Sequence, residues 1–240
     1  MTALRVLVTP GSLADGMTIA LEDAELHHLR VRRSVAGADV VVLDGAGSSA
    51  RGTLVDDGTR LGIAVGAVQA APALPVTILA VGAGDKDRFL LLAERCTELG
   101  VSRLIPLETE RSQAVGSRVR EGVLERARRR AREACKQSGN PWATVVEDAC
   151  TLPALALRPG AMRWLLGDAR GRRCPAMARD AAVAWIIGPE GGLTPAEIEY
   201  CRVDLAVELV SLGPATLRFD TAAIAAGVVT QDRRRIILEE

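Results

Sequence analysis

The pattern of hydrophobic and polar positions changes once along the chain. Up to about residue 70, short apolar runs are separated by glycines and Asp-Gly turns, a pattern typical of small β-structures. The runs lie at 5–8, 17–21, 40–43 and 61–65. They predict a small β-barrel. Residues 22–35 lack β alternation and predict one short helix that ends before Gly37.

A different pattern begins after the stretch 70–75, whose two prolines favour an extended connection. From there, buried strand-like runs alternate with helical segments, which is typical of a parallel α/β sheet. The predicted strands are 76–81, 104–107, 145–146, 164–166, 184–187 and 206–212. The predicted helices are 86–99, 118–138, 152–157, one that starts at 195 and one at about 220–236. We therefore predict a β-domain at 1–70 and an α/β domain at 71–240.

Bulk composition agrees with an ordinary globular protein. The 240 residues are 48% hydrophobic and 25% charged, which is enough for one or two cored domains. No apolar run approaches the ~18 residues that a membrane-spanning helix needs. Residues 1–10 lack the basic and apolar regions of a signal peptide. We expect a cytoplasmic protein that makes no membrane contact.

Cysteine and histidine positions argue against disulfides and metals. The five cysteines are odd in number and widely spaced, so they form neither a disulfide framework nor a CxxC site. His27 and His28 are adjacent, which points their side chains in different directions on a helix or strand. We expect reduced cysteines and no metal site.

Arginine dominates the basic residues, since 28 of the 30 are arginine although the net charge is zero. Codon composition explains this bias as well as phosphate recognition does. The segment 118–136 holds eight basic and three acidic residues, a charge of +5. Its apolar residues recur every three or four positions, so its arginines should face outward. This face is either simply solvated or a contact surface for RNA phosphates.

Three common enzyme motifs are incomplete or absent. The stretch after Val81 reads Gly82-Ala83-Gly84 and lacks the third glycine of a dinucleotide fingerprint. The sequence also lacks a GxxxxGK[ST] phosphate loop and a GxSxG nucleophile elbow. Nucleotide hydrolysis and serine hydrolysis are therefore disfavoured.

Two glycine loops carry the strongest signal. In 185–197, a buried strand runs into three glycines and then a helix with Thr194 as N-cap, Pro195 at N1 and Glu197 at N3. In 210–223, a second strand is followed by a glycine loop and a helix of small residues. Each loop alone could be a tight turn. Because parallel strands place such loops at one edge of the sheet, the two could form opposite walls of one pocket.

These loops, at 187–192, 212–214 and 217–218, resemble the signature of the 16S rRNA (uracil-N3)-methyltransferases. The resemblance extends to 27–33, 97–101, 108–112 and 133–139, so it covers nearly the whole chain. It implies an N-terminal PUA-like β-barrel that binds RNA and a C-terminal SPOUT methyltransferase domain with a deep trefoil knot. It also implies a homodimer that binds S-adenosylmethionine and acts on 16S rRNA of the small ribosomal subunit.

The resemblance assigns roles to individual residues. The expected cofactor site is Leu166, Gly188, Pro189, Glu190, Gly191, Leu212, Gly213 and Leu217. The resemblance also makes His27, Arg30 and Arg33 the expected RNA contacts of the first domain, although these could equally be ordinary surface charges. Arg111, and Arg129 and Arg132 of the basic segment 118–136, are the other expected RNA contacts. The sequence has Asp220 where the family commonly has Glu, which puts a role for that carboxylate in doubt.

The expected reaction is methylation of uracil N3. Arg218 would orient the base or stabilise its developing oxyanion, or would instead brace the loop backbone. The proton acceptor is Glu190, Asp220 or a water. The alternatives are a SPOUT methyltransferase with another RNA target and a non-catalytic rRNA-binding assembly protein.

Overall fold

The computed structural model describes residues 4–21, 25–26, 29, 35–56, 61–112, 121–158 and 160–234. These residues form two compact units. The first holds the described residues of Met1–Ala73 and of Arg132–Ala143, and the second holds those of Leu74–Ala131 and Thr144–Glu240. Most of the helix predicted at 22–35 lies outside the described residues.

The first unit contains one mixed sheet of five strands in the order β1-β3-β4-β5-β2. The strands are β1 (Leu4–Leu7), β2 (Thr18–Ala20), β3 (Asp39–Leu43), β4 (Ser48–Asp56) and β5 (Leu61–Ala70). Strand β1 runs parallel to β3, and the other pairs are antiparallel. Among the described strands, β1 and β2 each pair with a neighbour on one side only, so this sheet does not close and the predicted β-barrel is not confirmed.

The segment 132–143 packs into this first unit. Arg132 donates a hydrogen bond to the carbonyl of Val8 at 2.8 Å, and Arg5 donates to the carbonyl of Lys136 at 3.0 Å. Gly47 has φ +99°, and a Cβ on it would lie 2.2 Å from the ring of Trp142. The unit thus combines two distant parts of the chain, which local sequence patterns do not reveal.

The second unit is built on a parallel sheet in the order β12-β10-β11-β6-β7-β8, with β9 paired to β7. The strands are β6 (Thr77–Val81), β7 (Arg103–Glu108), β8 (Val145–Val146), β9 (Cys150–Thr151), β10 (Arg163–Arg172), β11 (Val183–Ile187) and β12 (Glu208–Val210). Every described pair is parallel, which confirms the predicted α/β class.

In the described part of the second unit, the α-helices are α1 (Lys86–Glu98), α2 (Glu121–Ser138), α3 (Leu152–Ala156), α4 (Pro195–Asp204) and α5 (Phe219–Arg234). The residues of α2 from Arg132 onward belong to the first unit. A short 3-10 helix, Glu110–Ser112, follows β7. Residues of α1 and α5 pack in one core cluster with Leu79 and Trp185, and residues of α3 and α4 pack in a second cluster with Ile78 and Ile186. Because strand residues alternate between these clusters, the sheet is covered on both faces.

The end of α5 is fixed by a buried arginine. The guanidinium of Arg234 is 1% exposed and donates to the carbonyls of Pro75, Val76 and Ala181 and to the hydroxyl of Thr77. Burial lowers the pKa of Arg234 from its ordinary value. These bonds anchor the last helix to the amino ends of β6 and β11.

All five cysteines are unpaired, as the sequence predicted. Burial raises the pKa values of Cys135 and Cys201 to about 11, so both are neutral thiols at pH 7. Within the described ranges, no helix has both the length and the apolar character needed to cross a bilayer.

Candidate functional site

The loop after β11 has a well-defined structure. Thr194 caps α4: its hydroxyl accepts from the Glu197 amide at 3.3 Å, while the Glu197 carboxylate accepts from the Thr194 amide at 2.8 Å. Pro195 occupies the first turn, so the predicted capping box is confirmed. The other Glu197 oxygen accepts from the Glu110 amide at 2.8 Å, which joins α4 to the 3-10 helix.

The same loop packs against the turn after β6 more closely than a side chain would permit. The Gly82 amide donates to the carbonyl of Ile187 at 2.8 Å. A Cβ on Gly82 would lie 2.6 Å from Cδ of Pro189 and 2.7 Å from its nitrogen. A Cβ on Gly84 would lie 1.9 Å from a carboxylate oxygen of Glu190. Gly82 of the incomplete dinucleotide motif therefore serves close backbone packing, and Gly84 makes room for the Glu190 side chain.

Arg111 holds this loop from the other side. Its guanidinium donates to the carbonyl of Gly191 at 2.6 Å and to that of Leu193 at 3.5 Å. Its aliphatic stem also lies against Gly191, where a Cβ would be 3.4 Å from Cδ of Arg111. The sequence predicted an RNA contact at Arg111. In the structure Nη1 of Arg111 donates to the loop backbone and the residue is exposed, and the RNA contact stays a prediction.

A second loop, 211–218, connects β12 to α5. The Ser211 amide donates to the carbonyl of Arg172 at 2.8 Å, and the Ser211 hydroxyl donates to that of Gly213 at 3.1 Å. Gly213 faces open space, with no heavy atom within 4 Å of the position that a Cβ would take. The two loops meet at one cavity of about 310 Å³, at the carboxyl ends of β10, β11 and β12.

Seven of the eight predicted cofactor residues line this cavity; the eighth, Gly191, lies against Arg111. The lining is Leu166, Gly167, Asp168, Ala169, Arg170, Ile187, Gly188, Pro189, Glu190, Gly192, Leu193, Ile198, Leu212, Gly213, Ala215, Thr216, Leu217, Phe219 and Ala222. A cavity of this size suits a small-molecule ligand.

The residues fit S-adenosylmethionine. Its adenine needs an apolar cradle, which Leu166, Ile187 and Leu212 provide. Its cationic sulfonium and ammonium groups need oxygen atoms. The carboxylate of Glu190 lines the same cavity, as does that of Asp168, whose two oxygens accept hydrogen bonds from Arg170. The open space at Gly213 leaves room for a flat ring near the backbone.

The candidate catalytic side chains differ in their surroundings. Glu190 lines the cavity. Arg218 is exposed between the lining residues Leu217 and Phe219, and its guanidinium has no hydrogen-bond or ion-pair partner among the described residues. Asp220 lies outside the lining and pairs with Arg88 at 3.0 Å. The second oxygen of Asp220 is buried, without a partner in the described part of the chain.

The predicted RNA residues are distributed unevenly. His27, Arg30 and Arg33 lie outside the described residues. On α2, the apolar face predicted from spacing is buried, at Val123, Ala127, Ala131 and Ala134.

Several arginines on the outer face of α2 have partners. Arg128 pairs with Glu121 and Asp148, Arg130 pairs with Glu94, and Arg132 binds a carbonyl. Arg129 is exposed and has no partner among the described residues. Much of the local positive charge is therefore compensated.

Sequence reasoning missed one wall of the cavity. Asp168, Ala169 and Arg170 line it, although the strand predicted there ended at 166. A signal was available, because residues that follow a parallel strand lie at the same edge as those following its neighbours. No role was predicted for these residues from the sequence.

Comparison with known proteins supports this picture. A family model described as an RNA methyltransferase domain matches residues 72–231. Ribosomal RNA small subunit methyltransferase E of Synechocystis sp. is 32% identical over 235 residues, which cover 93% of this chain and 76% of that protein. The Mycobacterium bovis protein of the same name is 30% identical over 234 residues, covering 91% and 88%.

Solved structures agree. The crystal structure of a ribosomal RNA small subunit methyltransferase E from Neisseria gonorrhoeae, bound to S-adenosyl methionine, superposes with a TM-score of 0.80 at 26% identity. The match covers 96% of this chain and 98% of that one. A probable rRNA-methyltransferase from Porphyromonas gingivalis gives a TM-score of 0.79 at 26% identity, covering 91% and 94%.

Replacing Gly82 by alanine tests whether the loop position depends on close packing. The new Cβ collides with the Pro189 backbone, so we expect a loss of about 1–3 kcal/mol in unfolding free energy, typical of overpacking. S-adenosylmethionine binding should weaken in parallel. Gly122→Ala is the control, because Gly122 lies in α2 with open space around it, and this change should stabilise slightly. Equal stability and ligand affinity in Gly82→Ala and wild type would contradict the packing argument.

Proposed function

The chain belongs to the ribosomal RNA small subunit methyltransferase E family, and we propose that it transfers a methyl group from S-adenosylmethionine to N3 of one uracil in 16S rRNA. The observation that carries the proposal is the cavity between the two glycine loops, which seven predicted cofactor residues line. The Neisseria gonorrhoeae relative, bound to S-adenosyl methionine, supports the same ligand here.

S-adenosylmethionine supplies an electrophilic methyl group on its sulfonium. The protein must place the uracil in line with that methyl and accept the N3 proton as the new bond forms. Glu190 is the acceptor that the geometry favours, since it lines the cavity while Asp220 is engaged with Arg88. The free guanidinium of Arg218 holds the uracil carbonyls, where negative charge develops.

The first unit serves RNA binding in this proposal. The family resemblance implies a PUA-like domain here, with His27, Arg30 and Arg33 as RNA contacts. The same resemblance supports a trefoil knot near the C-terminal helix and a cytoplasmic homodimer with the site near the subunit interface.

Two measurements test the function together. Titration calorimetry should show saturable binding of S-adenosylmethionine. Mass spectrometry should show that 16S rRNA from a deletion strain lacks one methyl group on a uridine base. Adding the purified protein to rRNA from that strain should restore the methyl at N3. Absence of binding heat would indicate a non-catalytic rRNA-binding protein. A methyl restored to a ribose or another RNA would indicate a different target.

Arg218→Ala isolates the contribution of the guanidinium. Removing one donor from a developing oxyanion typically lowers kcat by about 10²–10³-fold, and we expect a loss of that order. The affinity for S-adenosylmethionine should stay within about twofold, because Arg218 is exposed and absent from the lining. Arg179→Ala, at an exposed arginine just before β11, is the charge-matched control. A wild-type methylation rate in Arg218→Ala would exclude the catalytic role.

A further inference from the structure

A groove lined by arginines lies directly beside the cofactor cavity. Its volume is about 730 Å³, and four guanidinium side chains line it, those of Arg170, Arg172, Arg173 and Arg202. Arg170 and Ile198 line the cavity as well, so the two spaces share a wall.

A break in strand pairing builds that wall. Gly167 and Arg172 of β10 both align with Val210 of β12, so residues 168–171 leave the regular ladder as a bulge. The Asp168 carboxylate accepts from the Arg170 amide at 2.8 Å, which fixes the turn. A Cβ on Gly171 would lie 2.4 Å from the Val210 nitrogen, so the close return to β12 requires glycine.

The charge of the groove is compensated in part, because the guanidinium of Arg170 donates to both oxygens of Asp168 at 3.0 and 2.8 Å. The one carboxylate among its lining residues, that of Glu208, accepts from Nε and Nη2 of Arg163 at 2.7 and 3.0 Å. Arg172 and Arg173 are exposed, and in the described chain their guanidiniums have neither an ion pair nor a hydrogen bond. The Arg202–Glu199 contact is 3.4 Å long between exposed side chains, which makes it weak. The groove therefore keeps the positive charge of Arg172 and Arg173, while Arg170, like Arg128 and Arg130 on α2, is paired with an acid.

We propose that this groove binds backbone phosphates of the RNA next to the target base. The inference rests on the proposed function and adds a binding site to it. A base that enters the cavity must leave its stack, and its flanking phosphates then stay at the mouth, within reach of the neighbouring groove. Guanidinium groups match phosphate oxygens in geometry and charge. Arg172 and Arg173 are the main phosphate ligands, and Arg170 links the groove to the cavity.

The test compares Arg172→Ala and Arg173→Ala with Arg179→Ala. Arg179 is also exposed and charged, but it precedes β11 and does not line the groove. Affinity for a 16S rRNA fragment is measured across a salt series. Each groove variant should flatten the slope of log affinity against log salt by about 0.7–0.9 per lost phosphate contact. Its affinity should fall about two- to fivefold, as for a lost exposed ion pair.

Two controls separate charge from structure. Arg173→Lys retains the charge, so its salt slope should equal that of the wild type. S-adenosylmethionine affinity and Tm should not change in any groove variant, because Arg172 and Arg173 are exposed and absent from the cavity lining.

The outcomes distinguish this proposal from the function itself. If wild type methylates rRNA while the groove variants keep its salt slope, as Arg179→Ala should, the groove proposal is overturned and the function stands. If groove variants change the sedimentation mass with an unchanged slope, the groove is a protein interface and the RNA proposal is wrong. If the slopes flatten but no methyl is transferred by wild type, the groove is supported and the proposed reaction fails.

Discussion

The site depends on one close approach of backbone to backbone, between the turn after β6 and the turn after β11. Gly82 lies where any Cβ would collide with Pro189, and its amide is bound to Ile187. This contact sets the position of residues 188–190, which form one wall of the cavity. Arg111 binds the carbonyls of Gly191 and Leu193, and the Thr194 capping box fixes the start of α4. The wall is therefore positioned before any ligand arrives, which lowers the entropic cost of binding.

The opposite wall is anchored separately. Loop 211–218 leads into α5, whose far end is held by the buried Arg234. Near its start, Asp220 pairs with Arg88 of α1. Because each wall is fixed by its own contacts, the cavity keeps its shape, while the exposed Arg218 remains free to contact a substrate. Methyl transfer needs such fixed walls, because the methyl donor must be held in the cavity while the target uracil is brought in line with it.

Local sequence signals predicted the elements whose cause is local. Thr194, Pro195 and Glu197 specified a helix start within four consecutive residues, and the structure has that start. Strand β4 was missed because its polar residues, from Ser48 to Asp56, carry no apolar run and depend on pairing with β3 and β5. Strand β10 was predicted too short for the same reason, since its last residue pairs with Val210, 38 positions along the chain.

The site residues divide in the same way. The glycine loops could be recognised because their glycine-rich sequences are unusual and directly follow buried strands. The roles of Gly82 and Arg111 could not be derived, since each depends on a partner about 80 or more residues away. The arginines of the β10 bulge were likewise hidden, because their convergence arises only when β10 and α4 pack side by side.

The most direct test of the account is a crystal structure of the protein with S-adenosylmethionine bound. We predict that the ligand lies between loops 188–193 and 211–218, with its adenine against Leu166, Ile187 and Leu212 and its methyl facing the side of Arg218. Density for the ligand elsewhere, or a cavity closed by its own side chains at saturating ligand, would contradict the account.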